Sequence, residues 1–261
     1  MLSKCYEVIF TFVRSLFLGL ALLSATASAQ AEPLTVAVAA NVKFAFAELQ
    51  QAFTQQTGIA VKSVFGSSGK LTAQIENGAP FDVFLSANMK YPAALHRDGF
   101  AITRPQVYAN GVLVLWTMNP LDLGKGIQVL NEPAVQKIAV ANPRLAPYGR
   151  EAINALKHFK LYSALESKLI YGENISQVSQ YINSKAADIG FTAKSVVLAP
   201  QIAGQGKWIE LPKDSYHPIA QGVVILKHAG QANSENAQRF LKFLSSPAAR
   251  GIFEKYGYLL P

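Results

Sequence analysis

A loop of small residues joins a predicted strand to a predicted helix at Phe65-Gly66-Ser67-Ser68-Gly69-Lys70-Leu71. The mostly apolar run 59–65 favours a strand, and residues 71–77 favour a short helix. The first N–H groups of a helix have no partner within it, and the positive end of the helix dipole lies behind them. This junction is therefore a candidate anion site, although a serine before a helix is most often only its N-cap.

The first 29 residues predict a secretory signal peptide. Lys4 and Arg14 precede the apolar stretch 15–25, and Ala27-Ser28-Ala29 is a cleavage motif. The apolar stretch is too short to span a membrane as a helix. We therefore expect cleavage after Ala29 and export to the periplasm.

Composition limits the chemistry of the exported chain. The single cysteine, Cys5, lies in the predicted signal peptide, so we expect neither disulfides nor thiol chemistry. The formal net charge is +8, but the Lys and Arg residues are scattered and form no polybasic run. Steering of small anions, or solubility alone, explains this charge better than binding to nucleic acid.

Short apolar runs alternate with helical patterns along the first part of the chain. The runs 34–40, 59–65 and 81–86 predict buried parallel strands, and Gly58 predicts the end of the helix between the first two. This order predicts an α/β lobe with a mostly parallel sheet flanked by helices.

The same order repeats in the second half of the chain. Strands are predicted at 137–141, 169–171 and 189–191, with helices at 150–159 and 175–185. The repetition predicts a second α/β lobe of similar design.

Two longer apolar runs, 107–116 and 219–226, predict the segments that cross between the lobes. We predict a first lobe from residues 30–108 and 222–261 and a second lobe from residues 109–221. A ligand is expected in the cleft between such lobes, at the carboxyl ends of the strands.

The sequence shows no catalytic set. The stretch 66–70 lacks the spacing of a P-loop, and there is no G-x-S-x-G motif. Asp82 is the one acidic residue within a buried-strand pattern, and structural hydrogen bonding is its simplest role. The histidines are too far apart in sequence to form a metal-binding motif: His96, His158, His217 and His228. We therefore predict that the protein is not an enzyme.

Four strand-to-helix junctions remain as candidates for binding. Asn41 and Ser68 belong to the first predicted lobe, and Tyr148 and Ile175 belong to the second. If all four face one cleft, backbone N–H groups and neutral side chains would surround an oxyanion, with each hydrogen bond contributing about 1.5–3 kcal/mol. A site made only of donors suits a fully ionised tetrahedral dianion, because a protonated phosphate also needs an acceptor.

Several motifs resemble those of the periplasmic molybdate-binding proteins of ABC transporters. They are Ala39-Ala40-Asn41 after a strand, the stretch 65–69, the stretch 74–87 with its G-A-P-x-D-V-F-L-S-A segment, and the ending 252–258. The resemblance implies a two-lobed type II periplasmic binding protein fold, with two crossover segments forming the hinge. It implies binding of molybdate or tungstate, delivery to a membrane permease and no catalysis. We expect no cofactor and a monomer.

The resemblance also assigns roles by position. Ser68 matches a serine that donates its hydroxyl and backbone N–H to the anion, and Asn41 stands where many members have serine, so its amide or backbone N–H would serve. Tyr148 and Ile175 match positions that offer backbone N–H groups. All these contacts would be to molybdate oxygens, without direct metal ligation. Ala193 departs from the pattern, since many members have a tyrosine there, and the Tyr148 hydroxyl is our candidate replacement.

Other interpretations stay open at this point. Asn41 can be an N-cap, Tyr148 a packing aromatic, Ile175 an ordinary apolar residue and Lys70 a solvated lysine. Another oxyanion such as sulfate or a phosphonate is the alternative ligand. A secreted enzyme would need a nucleophile–base pair, and a regulator's sensor domain is opposed by the signal peptide. The sequence does not rank molybdate against tungstate.

Overall fold

The computed structural model describes residues 33–261, and the predicted signal peptide with Cys5 lies outside the described residues. The strands are β1 Leu34–Ala39, β2 Val61–Gly66, β3 Val83–Leu85, β4 Gln106–Gly111, β5 Leu113–Thr117, β6 Ile138–Ala141, β7 Leu169–Gly172, β8 Ile189–Ala193, β9 Lys207–Glu210 and β10 Ile219–Ile225.

Ten α-helices of the described residues flank these strands. They are α1 Lys43–Thr57, α2 Ser68–Glu76, α3 Lys90–Arg97, α4 Pro147–His158, α5 Tyr162–Leu165, α6 Ile175–Asn183, α7 Lys194–Val197, α8 Ala229–Ala232, α9 Ser234–Leu244 and α10 Pro247–Lys255. Short 3₁₀ segments cover Ala40–Val42, Leu123–Asn131, Glu166–Lys168 and Lys213–Ser215.

Two five-stranded sheets form the two lobes. The first has the order β2-β1-β3-β10-β4, and the second has the order β7-β6-β8-β5-β9. In each sheet, two strand pairs are parallel and two are antiparallel. The predicted two-lobed α/β fold is confirmed, but the sheets are mixed rather than mostly parallel, because the strands near the crossings run against their neighbours.

The chain passes from the first sheet to the second at Val112, between β4 and β5, and returns through residues 211–218 to β10. The predicted run 107–116 therefore forms two strands in two different sheets. An antiparallel bridge between Asn110 and Leu259 ties the chain end to this crossing. The exact lobe limits given above stay a prediction.

Helix α1 shows how sequence pattern becomes packing. Its apolar residues Phe46, Leu49 and Phe53 are fully buried, as their spacing on one helix face predicts. Gly58 follows the helix with φ +72°, a left-handed conformation that glycine adopts at little cost. Each buried side chain contributes about 1.5–3 kcal/mol relative to an exposed one, so this face anchors the helix on the first sheet.

Helix starts differ from the predictions in ways that matter for the site. Helix α2 begins at Ser68 rather than Leu71, because the Ser67 Oγ accepts the N–H of Lys70 (3.4 Å) and caps it. Helix α4 begins at Pro147 rather than residue 150, with proline in its first turn. The N-cap interpretation of Asn41 is wrong, since Asn41 lies inside the 3₁₀ turn and its side chain caps no helix.

Candidate anion-binding site

The four predicted site residues follow four parallel strands. In the first sheet, the last residues of β1 and β2 pair as Ala39 with Gly66, and in the second sheet those of β6 and β7 pair as Ala141 with Gly172. Each pair of strands therefore ends side by side. The carboxyl ends of parallel strands are where α/β sheets bind ligands.

The structure brings all four residues to one small cavity. It lies between the two lobes and is lined by residues of both. Asn41 is 2% exposed, Ser68 and Tyr148 are each 1% exposed, and Ile175 is 3% exposed. The lining residues are Ala39, Ala40, Asn41, Gly66, Ser67, Ser68, Ala87, Ala146, Pro147, Tyr148, Asn174 and Ile175. The four residues are therefore almost completely buried at this cavity.

The backbone N–H groups of Asn41, Ser68, Tyr148 and Ile175 have no hydrogen-bond acceptor among residues 33–261. Three of these residues lie in the first turn of a helix, where N–H groups cannot be satisfied within the helix. Side-chain caps serve other N–H groups, as when the Asn174 Oδ1 accepts that of Gln177 (3.2 Å). Among the donors left over, those of Asn41, Ser68, Tyr148 and Ile175 belong to residues that line the cavity, where an anion would satisfy them.

Ser68 can offer a second donor. Its Oγ accepts the N–H of Ala87 (3.0 Å), while its carbonyl oxygen accepts the hydroxyl of Thr72 (2.8 Å). A hydroxyl that accepts one hydrogen bond still has its own hydrogen to donate. The bond from Ala87 therefore orients the hydroxyl without using its donor.

The cavity is uncharged. None of its twelve described lining residues carries a formal charge, and none has a carboxylate. Burial, with a smaller effect of the neighbouring tyrosines, raises the pKa of Tyr148 well above its usual range, so this side chain stays neutral. Lys70 does not line the cavity but forms a half-exposed ion pair with Glu173 (2.9 Å) across the cleft.

Gln221 joins the two lobes beside the site. This fully buried side chain accepts hydrogen bonds from the Asn41 Nδ2 (2.9 Å) and the Tyr108 hydroxyl (2.7 Å). Its Nε2 donates to the Tyr148 hydroxyl (3.3 Å), and the Asn41 Nδ2 also donates to the Tyr258 hydroxyl (3.2 Å). Protein groups thus engage the Asn41 amide nitrogen and the oxygen of the Tyr148 hydroxyl, whereas the backbone N–H groups of both residues have no acceptor among residues 33–261.

Several residues of this network were missed by the sequence analysis. Ser195 of the second lobe and Tyr258 of the first both donate to the Asn41 carbonyl oxygen, at 2.8 and 3.0 Å. One feature of the sequence could have pointed to Gln221, because it is the only strongly polar side chain in the apolar run 219–226. No such feature pointed to Ser195. Ala193 is buried in β8 and does not line the cavity.

Asp82 is placed in the core of the first lobe, away from the cavity lining. It is 1% exposed and accepts hydrogen bonds from the Thr35 N–H (2.7 Å) and the Asn233 Nδ2 (3.2 Å), with the His228 Nδ1 at 3.0 Å. These bonds fit the structural role predicted for it. Residues 33–261 contain no group of three or more His, Cys, Asp or Glu side chains placed to hold a metal ion.

Two α/β lobes closed over a small donor-lined cavity define a protein that holds a solute. Consistent with this class, residues 34–259 match the family model of bacterial extracellular solute-binding proteins, and the chain belongs to that family. No helix within residues 33–261 has the length and apolar character needed to cross a membrane.

The chain is also similar to individual members of the family. It is 38% identical to the molybdate-binding protein ModA of Rhodobacter capsulatus over 246 residues, which cover 94% of this chain and 93% of that protein. It is 37% identical to ModA of Azotobacter vinelandii over 233 residues, covering 88% and 91%. The solved periplasmic molybdate-binding protein of Azotobacter vinelandii matches with a TM-score of 0.82 at 36% identity, covering 87% and 99%. The predicted resemblance is confirmed.

Proposed function

We propose that this protein captures molybdate, and also tungstate, in the closed cavity and delivers it to the permease of an ABC transporter. One observation carries the proposal: four buried backbone N–H groups without a protein acceptor among residues 33–261 surround a cavity free of charged side chains. The molybdate-binding relatives, at 37–38% identity over most of their length, support the same ligand.

The site can hold a dianion without a countercharge. Each hydrogen bond to a charged acceptor contributes about 1.5–3 kcal/mol, and helix dipoles add typically about 0.3–1 kcal/mol. The low dielectric of a buried cavity strengthens such bonds. The donors belong to helical turns within the two folded lobes, so the main order that binding imposes is that of one lobe relative to the other.

The same donors provide selectivity. A fully ionised tetrahedral dianion accepts at every oxygen, whereas a protonated oxyanion brings an O–H that needs an acceptor. No carboxylate among the described lining residues offers one. Size then separates molybdate and tungstate from the smaller sulfate, because a small ion cannot reach donors in both lobes at once.

The remaining parts of the proposal follow from family and fold. A family of extracellular solute-binding proteins and the predicted signal peptide support a periplasmic location. We propose that the protein acts as a monomer, without a cofactor and without catalysis, and that closure of the lobes presents the loaded form to the permease. Gel filtration of the purified protein with and without molybdate tests the monomer.

Calorimetric titration with sodium molybdate, tungstate, sulfate and phosphate tests the ligand. We expect one molybdate or tungstate per chain with a Kd of about 1 μM or lower. Sulfate and phosphate should bind at least about a hundredfold more weakly, a difference of about 2.7 kcal/mol. Absence of molybdate binding, or equal affinity for sulfate, would overturn the proposal.

A further inference from the structure

We propose that Gly69 is a positioning residue that permits the lobes to close, through a clasp in which Gly69 and Tyr91 hold the carbonyl groups of Arg144 and Leu145. The inference rests on the proposed function, since it concerns closure over the anion. It adds residues that do not line the cavity and so do not touch the ligand.

The clasp consists of hydrogen bonds across the cleft. The Gly69 N–H donates to the Leu145 carbonyl oxygen at 2.9 Å. The Tyr91 hydroxyl lies 3.3 Å from the Arg144 carbonyl oxygen and 3.4 Å from that of Leu145. Gly69 is in α2 and Tyr91 is in α3, both of the first lobe, whereas Arg144 and Leu145 lie in the loop between β6 and α4 of the second lobe. These bonds therefore exist only when the lobes are closed.

The loop held by the clasp leads directly to the site. It is a compact turn, in which the Asn142 carbonyl oxygen accepts the N–H groups of Leu145 (3.0 Å) and Ala146 (2.8 Å). Leu145 lies three residues before Tyr148, which lines the cavity. Fixing the Leu145 carbonyl against the first lobe thus also fixes the start of α4 and its donor.

A side chain at position 69 would obstruct this contact. A Cβ there would lie 2.8 Å from the Tyr91 hydroxyl oxygen, 3.0 Å from the Leu145 carbonyl oxygen and 3.1 Å from the Leu145 Cα. The two Leu145 atoms belong to the backbone of the opposite lobe, so the loop must shift by a few tenths of an ångström to accept the Cβ, which strains the closed arrangement. The obstruction is specific to the closed arrangement.

The helix itself tolerates alanine at this position. Gly69 is not among the glycines with positive φ, and it occupies the first turn of α2. Alanine favours a helix more than glycine does. Gly69→Ala should therefore leave the open protein at least as stable while opposing closure, two effects of opposite sign that a merely structural role would not produce.

The test compares Gly69→Ala with wild type and with Gly251→Ala. Gly251 lies within α10 and is exposed, and a Cβ added to it would have no neighbouring atom within 4 Å. Alanine at position 251 therefore gains the same helix preference without meeting the other lobe. Three quantities are measured: the Tm without ligand, the Kd for sodium molybdate, and the change in radius of gyration by small-angle scattering when molybdate is added.

For Gly69→Ala we expect an unchanged or higher Tm, a molybdate Kd raised about thirtyfold, and loss of the compaction seen in wild type, whereas Gly251→Ala should behave as wild type. A Kd raised less than about tenfold, with normal compaction, would overturn the clasp. Failure of wild type to bind molybdate would instead refute the proposed function.

Tyr91→Phe provides a second variant that adds no bulk. It removes the hydroxyl bonds to Arg144 and Leu145 and leaves the Gly69 bond in place. Because these bonds form only in the closed state, we expect molybdate to dissociate about three- to tenfold faster with its association rate unchanged. An unchanged dissociation rate would contradict the clasp even if Gly69→Ala failed to fold.

Discussion

Ser68 is the residue at which two donors of the site meet. Its N–H has no acceptor among the described residues, and its hydroxyl is oriented by the N–H of Ala87 (3.0 Å). Ser68→Ala should raise the molybdate Kd about tenfold to a hundredfold, because a hydrogen bond to a charged acceptor contributes about 1.5–3 kcal/mol. Isothermal titration calorimetry measures the change directly.

The matched control for Ser68→Ala is Ser246→Ala. The Ser246 Oγ caps α10 by accepting the N–H of Ala249 (3.3 Å), and Ser246 does not line the cavity. Its loss should lower the free energy of unfolding by about 1 kcal/mol and leave the affinity unchanged. If Ser68→Ala bound molybdate as tightly as this control, the hydroxyl would not be a ligand.

A variant of Tyr148 distinguishes recognition of the anion by a backbone N–H from recognition by a side-chain hydroxyl. Its hydroxyl accepts a hydrogen bond from the Gln221 Nε2 (3.3 Å), whereas its N–H has no protein acceptor among the described residues. Because the hydroxyl lies beside Gly111 and Gln221, neither of which lines the cavity, Tyr148→Phe should change the molybdate Kd less than about threefold, while lowering the free energy of unfolding by about 1 kcal/mol. A loss of affinity near that of Ser68→Ala would instead show that the hydroxyl replaces the tyrosine absent at Ala193.

At the scale of elements, α2 contacts the second lobe through the Gly69–Leu145 backbone hydrogen bond and through an ion pair. The Lys70–Glu173 pair (2.9 Å) has side chains that are 51% and 39% exposed, so water and salt screen it. Glu173→Gln should weaken molybdate binding less than about threefold at low salt, and not measurably at about 0.5 M salt. Titrations at both ionic strengths check this, and a large loss that persists at high salt would contradict it.

Local sequence patterns predicted where strands are followed by helices. They did not predict the residue at which each helix begins or how the strands pair. The strand-to-helix order and the inner face of α1 follow from hydrophobic periodicity, which a short window of sequence contains. The start of α2 was misplaced by three residues because Ser67 caps the helix, so that Ser68, Gly69 and Lys70 form its first turn. The mixed sheets escaped prediction because the pairing of β10 with β3 joins segments far apart in the chain.

For the whole molecule, three buried tyrosines predict a dependence on pH. Burial raises the pKa of Tyr258 to about 12 and those of Tyr108 and Tyr148 well above their usual range. Unfolded tyrosine ionises near about pH 10, so the folded state holds these protons more tightly. The contribution of these tyrosines to the free energy of unfolding should be constant below about pH 10 and fall as the pH rises towards about 12, by about 3 kcal/mol for Tyr258 alone.

Urea unfolding between about pH 8 and about pH 11 measures this loss of stability. Molybdate affinity should vary less than about threefold between about pH 6 and about pH 9, because no charged group lines the cavity and Tyr148 stays neutral there. Stability that increases above pH 10, or an affinity that titrates within the lower range, would contradict the description of the site.

Family motifs and helix starts predicted Asn41, Ser68, Tyr148 and Ile175 as site residues, and the structure places all four around one cavity. The network behind them could not be predicted in the same way. The Asn41–Gln221 hydrogen bond joins residues 180 positions apart. Such partners depend on how the lobes close, which no local pattern records.

A crystal structure of the molybdate complex tests most directly whether uncharged donors from both lobes hold the anion. We expect molybdate oxygens about 2.7–3.2 Å from the backbone nitrogens of Asn41, Ser68, Tyr148 and Ile175 and from the Ser68 Oγ, with no lysine or arginine in contact. An anion bound outside this cavity, or held there by a charged side chain, would contradict the account.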